Sequence, residues 1–222
     1  MPDYKDILVL HAMDGSTTFL SPFQHHFEKY YHGFDSKKDS VQAAKEKIGD
    51  LESKSLIVFV GHGSSMGLYE PDEENLYEKH FLDATGGNHY LEGHDVVLLS
   101  CRSNELIKKI HTASSLIGFG NIISSIQELE IHNKENIKKN LSESDIQLFN
   151  CYFIEAVIKS IKLLTTDKIR FHELAKYIDF NTNKFLIRVL KNKSYPNRIE
   201  LAKLLFEFRD EITYQNNRRF KS

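Results

Sequence analysis

Four short apolar runs constrain this chain more than any other feature. They are Asp-Ile-Leu-Val-Leu-His (Asp6 to His11), Leu-Ile-Val-Phe-Val (Leu56 to Val60), Val-Val-Leu-Leu (Val96 to Leu99) and Leu-Ile-Gly-Phe-Gly (Leu116 to Gly120). Each is too short for a core helix and too evenly apolar to have a solvent face, so each reads as a strand buried on both sides. Between them lie helical or loop segments. Ser40 to Leu51 puts Val41, Ala44, Ile48 and Leu51 near one face, and Asn104 to Thr112 carries Leu106, Ile107 and Ile110. Strands alternating with helices predict an α/β fold: a mainly parallel sheet of four to six strands with helices on both faces. In such sheets ligands bind at the carboxyl ends of the strands.

The rest of the chain reads differently. An aromatic and His-rich stretch runs to about Phe34, Glu70-Pro71-Asp72-Glu73-Glu74 reads as an acidic loop, and Gly86-Gly87-Asn88 reads as a turn. From about Asp145 the spacing is helical, with Phe149, Phe153, Ala156, Val157, Ile161 and Leu164 in phase. Phe171 to Ile178, Asn183 to Leu190 and Ile199 to Ile212 read as further helices. The expected organisation is therefore a sheet domain over 1–165 and a C-terminal helical extension over 166–222, packed on it or next to it. From Asn181 on, ten Lys or Arg (Lys184, Arg188, Lys191, Lys193, Arg198, Lys203, Arg209, Arg218, Arg219 and Lys221) stand against four acids (Glu200, Glu207, Asp210 and Glu211), a difference of +6. A solvated helical face accounts for that excess, with contact to an acidic partner or to nucleic acid as the alternative.

Composition narrows the function classes. Apolar residues make up 41% of the chain, enough for a sizeable core, and the net charge of -2 supplies no drive toward nucleic acid or membrane. No apolar stretch approaches membrane-spanning length, and Met1-Pro2-Asp3-Tyr4-Lys5-Asp6 lacks the features of a signal peptide. A cytoplasmic protein with both cysteines, Cys101 and Cys151, as free thiols is expected. No glycine-rich phosphate-binding motif is present. The spacings of His25, His26 and His32, and of His80, His89 and His94, lack the pattern of a zinc site, so no metal or other cofactor is expected. The acidic cluster Glu70, Asp72, Glu73, Glu74 and Glu78 reads as solvated loop, with binding of calcium or a basic substrate as the alternative. Cys151, inside Phe149-Asn150-Cys151-Tyr152-Phe153, reads as core packing.

Two residues stand where chemistry is expected. His62 follows the second apolar run in Gly61-His62-Gly63-Ser64, and Cys101 follows the third in Ser100-Cys101-Arg102-Ser103. Adjacent strands would bring imidazole and thiol to one edge. A helix starting after Cys101 would lower the thiol pKa. Gly63 has no side chain, so its N–H and that of Cys101 are candidates for an oxyanion hole.

Val58-Phe59-Val60-Gly61-His62-Gly63-Ser64 resembles the His-Gly block of the caspase-like cysteine peptidases, and Val96-Val97-Leu98-Leu99-Ser100-Cys101-Arg102-Ser103 resembles their Cys block. The order of blocks fits that clan, and the segments after Leu116 are most similar to its CHAT-domain members. The resemblance covers roughly Asp6 to Ile178. It implies a caspase-like three-layer sandwich, with Cys101 as nucleophile and His62 as base. It also implies cleavage of a protein substrate through a thioester, and a sensor or regulatory partner in bacterial defence or cell death. In metacaspase-like members two acidic residues recognise a basic P1 side chain. Asp14 matches the first, which implies substrate binding, but Leu99 stands at the second.

Two other readings remain. Gly63-Ser64-Ser65-Met66-Gly67 fits the nucleophile elbow of α/β-hydrolases, with Ser65 as nucleophile. The elbow should run into a helix, whereas Leu68-Tyr69-Glu70-Pro71-Asp72 reads as loop. A caspase-like fold can also serve as a non-catalytic adaptor.

Overall fold

A computed structural model describes residues 4–136 and 138–217. Arg218, Arg219 and Lys221 of the basic C-terminal stretch, and Met1, Pro2 and Asp3, lie outside the described residues.

The chain begins with β1 (Ile7–Ala12), a 3-10 turn (Gly15–Leu20), α1 (Pro22–His26), β2 (Tyr31–Phe34) and α2 (Lys38–Gly49). β3 (Leu56–Val60) leads into a hairpin of β4 (Gly67–Tyr69) and β5 (His80–Asp83), then α3 (Ala84–Tyr90) and β6 (Asp95–Leu99). After the single turn α4 (Ser103–Leu106) come β7 (Ser115–Gly118) and α5 (Ile126–Glu135). The long helices α6 (Glu143–Thr165), α7 (Phe171–Lys191) and α8 (Arg198–Asp210) follow, and β8 (Thr213–Asn216) ends the described chain.

Six strands form one sheet in the order β2-β1-β3-β6-β7-β8. All pairings are parallel except β8 on β7. Alternate residues of each central strand enter two separate cores. Val9, Val58, Val60, Val97 and Ile117 share one with apolar residues of α1, α6, α7 and α8. Leu8, Leu10, Ile57, Phe59 and Leu98 share the other with Val41, Ala44 and Ile48 of α2 and with Leu106, Ile107 and Ile110. The molecule is thus a three-layer α/β sandwich with C-terminal helices. Both faces of each central strand are covered, which is why these strands read as unbroken apolar runs.

Residues 166–217 pack into the same core. Phe185, Leu201 and Phe208 sit in the core of the α6 face, and β8 extends the sheet. Asp145 ties the α7–α8 connection to α6. Its carboxylate takes hydrogen bonds from Ser142, Tyr195 and Asn197 while serving as the N3 member of a capping box.

Several elements differ from the sequence reading. Gly86-Gly87-Asn88 lies inside α3, not in a turn, because Asp83 caps Gly86 and a Cβ at Gly87 would come within 2.8 Å of Ile110. The two helices expected over 171–190 are one, since the polar groups at the break are satisfied in place. Thr182 bonds the Ile178 carbonyl, and Asn181 bonds Ser160. The helix expected over Asn104 to Thr112 is only α4 and a 3-10 turn over Ile107–Lys109. Cys151 is exposed rather than packed in the core, because α6 turns Phe149, Asn150 and Phe153 inward and Cys151 out. No described helix is long and apolar enough to cross a membrane.

Candidate active site

The pairing of β3 with β6 sets the site. Val60 lies opposite Leu99, so the two strands end level with each other, and His62 and Cys101 each stand two residues past their strand end. Both residues line one small cleft, together with Gly61, Ser100, Ile122 and Glu128. Its volume is about 20 Å³, room for little more than one water.

The loops that carry the two residues are packed tightly. A Cβ at Gly63 would lie 2.6 Å from the Ser100 hydroxyl, so only glycine lets the His loop sit this close to the Cys loop. Gly63 faces Leu68 in an isolated antiparallel bridge whose hydrogen bonds run from Ser64 N to Gly67 O and from Tyr69 N to His62 O. The Gly63 N–H is not spent there, and neither it nor the Cys101 N–H has a partner among the described residues. The Cys loop is fixed from the other side. Arg102, at φ 54°, donates its N–H to Gly120 O, and Ser103 Oγ donates to Leu98 O. Ser100 Oγ is buried and has no hydrogen-bond partner among the described residues.

His62 and Cys101 are not hydrogen-bonded to each other. The Cys101 thiol donates to the Ile122 carbonyl at 3.3 Å. Burial, reinforced by the nearby Glu128 carboxylate, pushes that thiol up to about 12. The expected lowering by a helix N-terminus is therefore absent: α4 is one turn long, too short to offset desolvation. Burial also lowers the pKa of His62, against the opposing charges of Asp14 and Glu128. At neutral pH this arrangement holds a neutral imidazole and a protonated thiol.

The imidazole is instead engaged by the turn after β1. His62 Nε2 lies 2.6 Å from Ser16 Oγ, and its ring lies 4.4 Å from that of Tyr77, centroid to centroid. Tyr77 stands at φ 50° in the acidic loop before β5. That loop is not simply solvated: the Asp72 N–H bonds Asp14, Glu73 accepts from the Gly15 N–H, and Asp72 caps Glu74, Leu76 and Tyr77. Asp14 is the N-cap of the turn, its side chain is 1% exposed, and both its oxygens accept hydrogen bonds. At rest it offers no carboxylate oxygen to a substrate. Ser16, Tyr77 and Glu128 did not emerge from the sequence. Their only sequence signal is the Asp14-to-Thr17 capping pattern, which marks a turn and not a site.

His11 lies under this turn, bonded to Tyr31 and to the Thr17 carbonyl. Burial lowers its pKa to about 4. The folded state therefore resists protonation that the unfolded chain accepts near pH 6.5, and stability contributed above that pH is lost as pH falls toward 4. Urea unfolding is expected to show His11→Gln losing less stability than wild type between pH 7 and pH 4, by ~3 kcal/mol. Equal pH slopes in the two proteins would contradict this.

Ser65 sits in the hairpin turn before β4, so its loop runs into a strand and not the helix an elbow needs. Its carbonyl accepts from Lys109, and its hydroxyl bonds no histidine or acid among the described residues. Among the described residues, no group of three or more His, Cys, Asp or Glu is arranged to hold a metal ion. A cleft of about 440 Å³ shares Glu128 with the site and is also lined by Arg102, Glu105 and Glu211. A cavity of about 820 Å³ lies at the start of β6 and β7 and contains neither His62 nor Cys101. No protein-family model matches the chain, and no curated protein matches it significantly.

Proposed function

We propose that this chain is a cysteine endopeptidase of the caspase-like type, most similar to CHAT-domain proteases. The observation that carries the reading is the β3–β6 pairing, which brings His62 and Cys101 into one cleft at the carboxyl edge of a parallel sheet. The unpartnered N–H groups of Gly63 and Cys101 support it further.

In the proposed reaction His62 takes the Cys101 proton, and the thiolate attacks the scissile carbonyl carbon. The carbonyl electron pair moves to oxygen, where the Gly63 and Cys101 N–H groups stabilise the oxyanion. Collapse expels the amine, which takes the proton held by His62, and leaves a thioester on Cys101. Water then adds to the thioester with His62 as base, releasing the acid and the thiol. No metal or cofactor enters any step.

The resting geometry calls for one rearrangement first. The thiol must leave the Ile122 carbonyl and turn to His62, and the cleft must open beyond its present volume. A sensor or regulatory protein acting on the segment after β7 would supply that trigger, in a reducing cytoplasm and in a defence or cell-death role. Neither a membrane nor direct contact with nucleic acid is part of the reading.

The experiment is cleavage of a peptide library by wild type, Cys101→Ala and Ser65→Ala, with and without candidate partner chains. Loss in Cys101→Ala alone supports the reading. Loss in Ser65→Ala alone replaces it with a serine hydrolase, and no cleavage by any variant under any condition replaces it with an adaptor.

A further inference from the structure

The hydrogen bonds around Ser16 fix where protons can be. Its hydroxyl lies 2.7 Å from Asp14 Oδ1, 2.6 Å from His62 Nε2 and 2.9 Å from the Tyr77 hydroxyl. It has one proton to give and two lone pairs. The Asp14 carboxylate can only accept, and it already accepts the N–H groups of Ser16, Thr17 and Asp72. If Ser16 gave its proton to His62, its oxygen lone pairs would face the Asp14 oxygen at 2.7 Å with no proton between them. The proton therefore belongs on the Ser16–Asp14 bond. His62 Nε2 must then carry its own proton and donate it to Ser16 Oγ. In a neutral imidazole this leaves Nδ1 bare.

We propose that Ser16, anchored by Asp14 and Tyr77, is a positioning residue that holds His62 in the Nε2–H tautomer and makes Nδ1 its basic nitrogen. The device also serves the charged form: an imidazolium still donates from Nε2 to Ser16, and Asp14 lies 4.0 Å from that nitrogen. Tyr77 packs against the ring at a tilt of 39° and lies 2.9 Å from the Ser16 hydroxyl; with the Ser16 proton on Asp14, the single Tyr77 proton belongs on Ser16, and Asn75 Oδ1, also 2.9 Å away, competes for it as an acceptor. Asp14 thus acts through Ser16, a role distinct from contact with a substrate side chain. The kinetic consequence rests on the peptidase reading, whereas the tautomer does not.

The test is long-range ¹H–¹⁵N NMR of ¹⁵N-histidine-labelled protein at pH 7.5, with His62 assigned from the peaks lost in His62→Gln. Wild type should show His62 protonated at Nε2 and bare at Nδ1. Ser16→Ala should shift His62 toward the mixed tautomers of a histidine in water, and Ser16→Thr should restore the wild-type pattern. With a cleaved peptide in hand, Ser16→Ala should lose ~10–100-fold in kcat with little change in KM, and Ser16→Thr should recover most of it. A wild-type His62 protonated at Nδ1, or an unchanged tautomer in Ser16→Ala, would overturn the proposal. Because the wild-type spectrum needs no variant, misfolding of Ser16→Ala leaves the proposal falsifiable. Because the spectrum needs no substrate, failure to find peptidase activity does not affect it.

Discussion

Cys101→Ala is expected to cleave none of the peptides that the wild-type chain cleaves, a loss of ~10⁴-fold or more in kcat. The covalent route runs through one sulfur, and Ser16, the hydroxyl bonded to His62, has its proton committed to Asp14. His62→Ala should lose nearly as much. The double variant should be no worse than the poorer single one, since base and nucleophile act as a unit. Cys151→Ser should stay within twofold of wild type, because Cys151 is exposed on α6 and absent from the residues that line the cleft. Progress curves on a cleaved peptide, with circular dichroism to check folding, read all four. A Cys101→Ala variant that retains a tenth of wild-type activity would remove the thiol from the mechanism.

The second large effect concerns the thiol at rest. Alkylation by iodoacetamide at pH 8, followed by peptide mass spectrometry, should modify Cys151 at the rate of an ordinary thiol and Cys101 ~10³-fold more slowly. The magnitude follows from the thiolate fraction: burial and Glu128 move Cys101 from an ordinary value near 9 to about 12. The bond to Ile122 and the small cleft act in the same direction by limiting access. In the cleaving state the order should reverse, with Cys101 labelled at least as fast as Cys151. Equal labelling in the resting protein would mean that Cys101 is not held on the Ile122 carbonyl.

The central fold was legible because its strands are covered on both faces and therefore read as unbroken apolar runs. β2 was not, since Tyr31-His32-Gly33-Phe34 is an edge strand with only Phe34 fully buried. β8 was missed for the same reason: Thr213-Tyr214-Gln215-Asn216 is polar and sits at the opposite edge. α5, set by a capping box between Ser125 and Glu128, carries too short an apolar face to stand out. At the site, the apolar runs place His62 and Cys101 just past two strand ends, and the β3–β6 pairing sets those ends side by side. Ser16 and Tyr77 were not legible, because their contacts join residues 46 and 61 positions apart through loops of no regular period. The sequence predicts a helix over Asn104 to Thr112 whose N-terminus would lower the thiol pKa. With α4 reduced to one turn, desolvation decides the pKa instead.

Covalent capture tests the central claim most directly. The protein, alone and with candidate partners under conditions where it cleaves, is treated with a peptidyl acyloxymethyl ketone built on a cleaved sequence, and the adduct is located by tandem mass spectrometry. One adduct is expected, on Cys101, and it should disappear in His62→Ala. An adduct on Ser65 or Ser16, or continued cleavage with Cys101 fully modified, would contradict that claim.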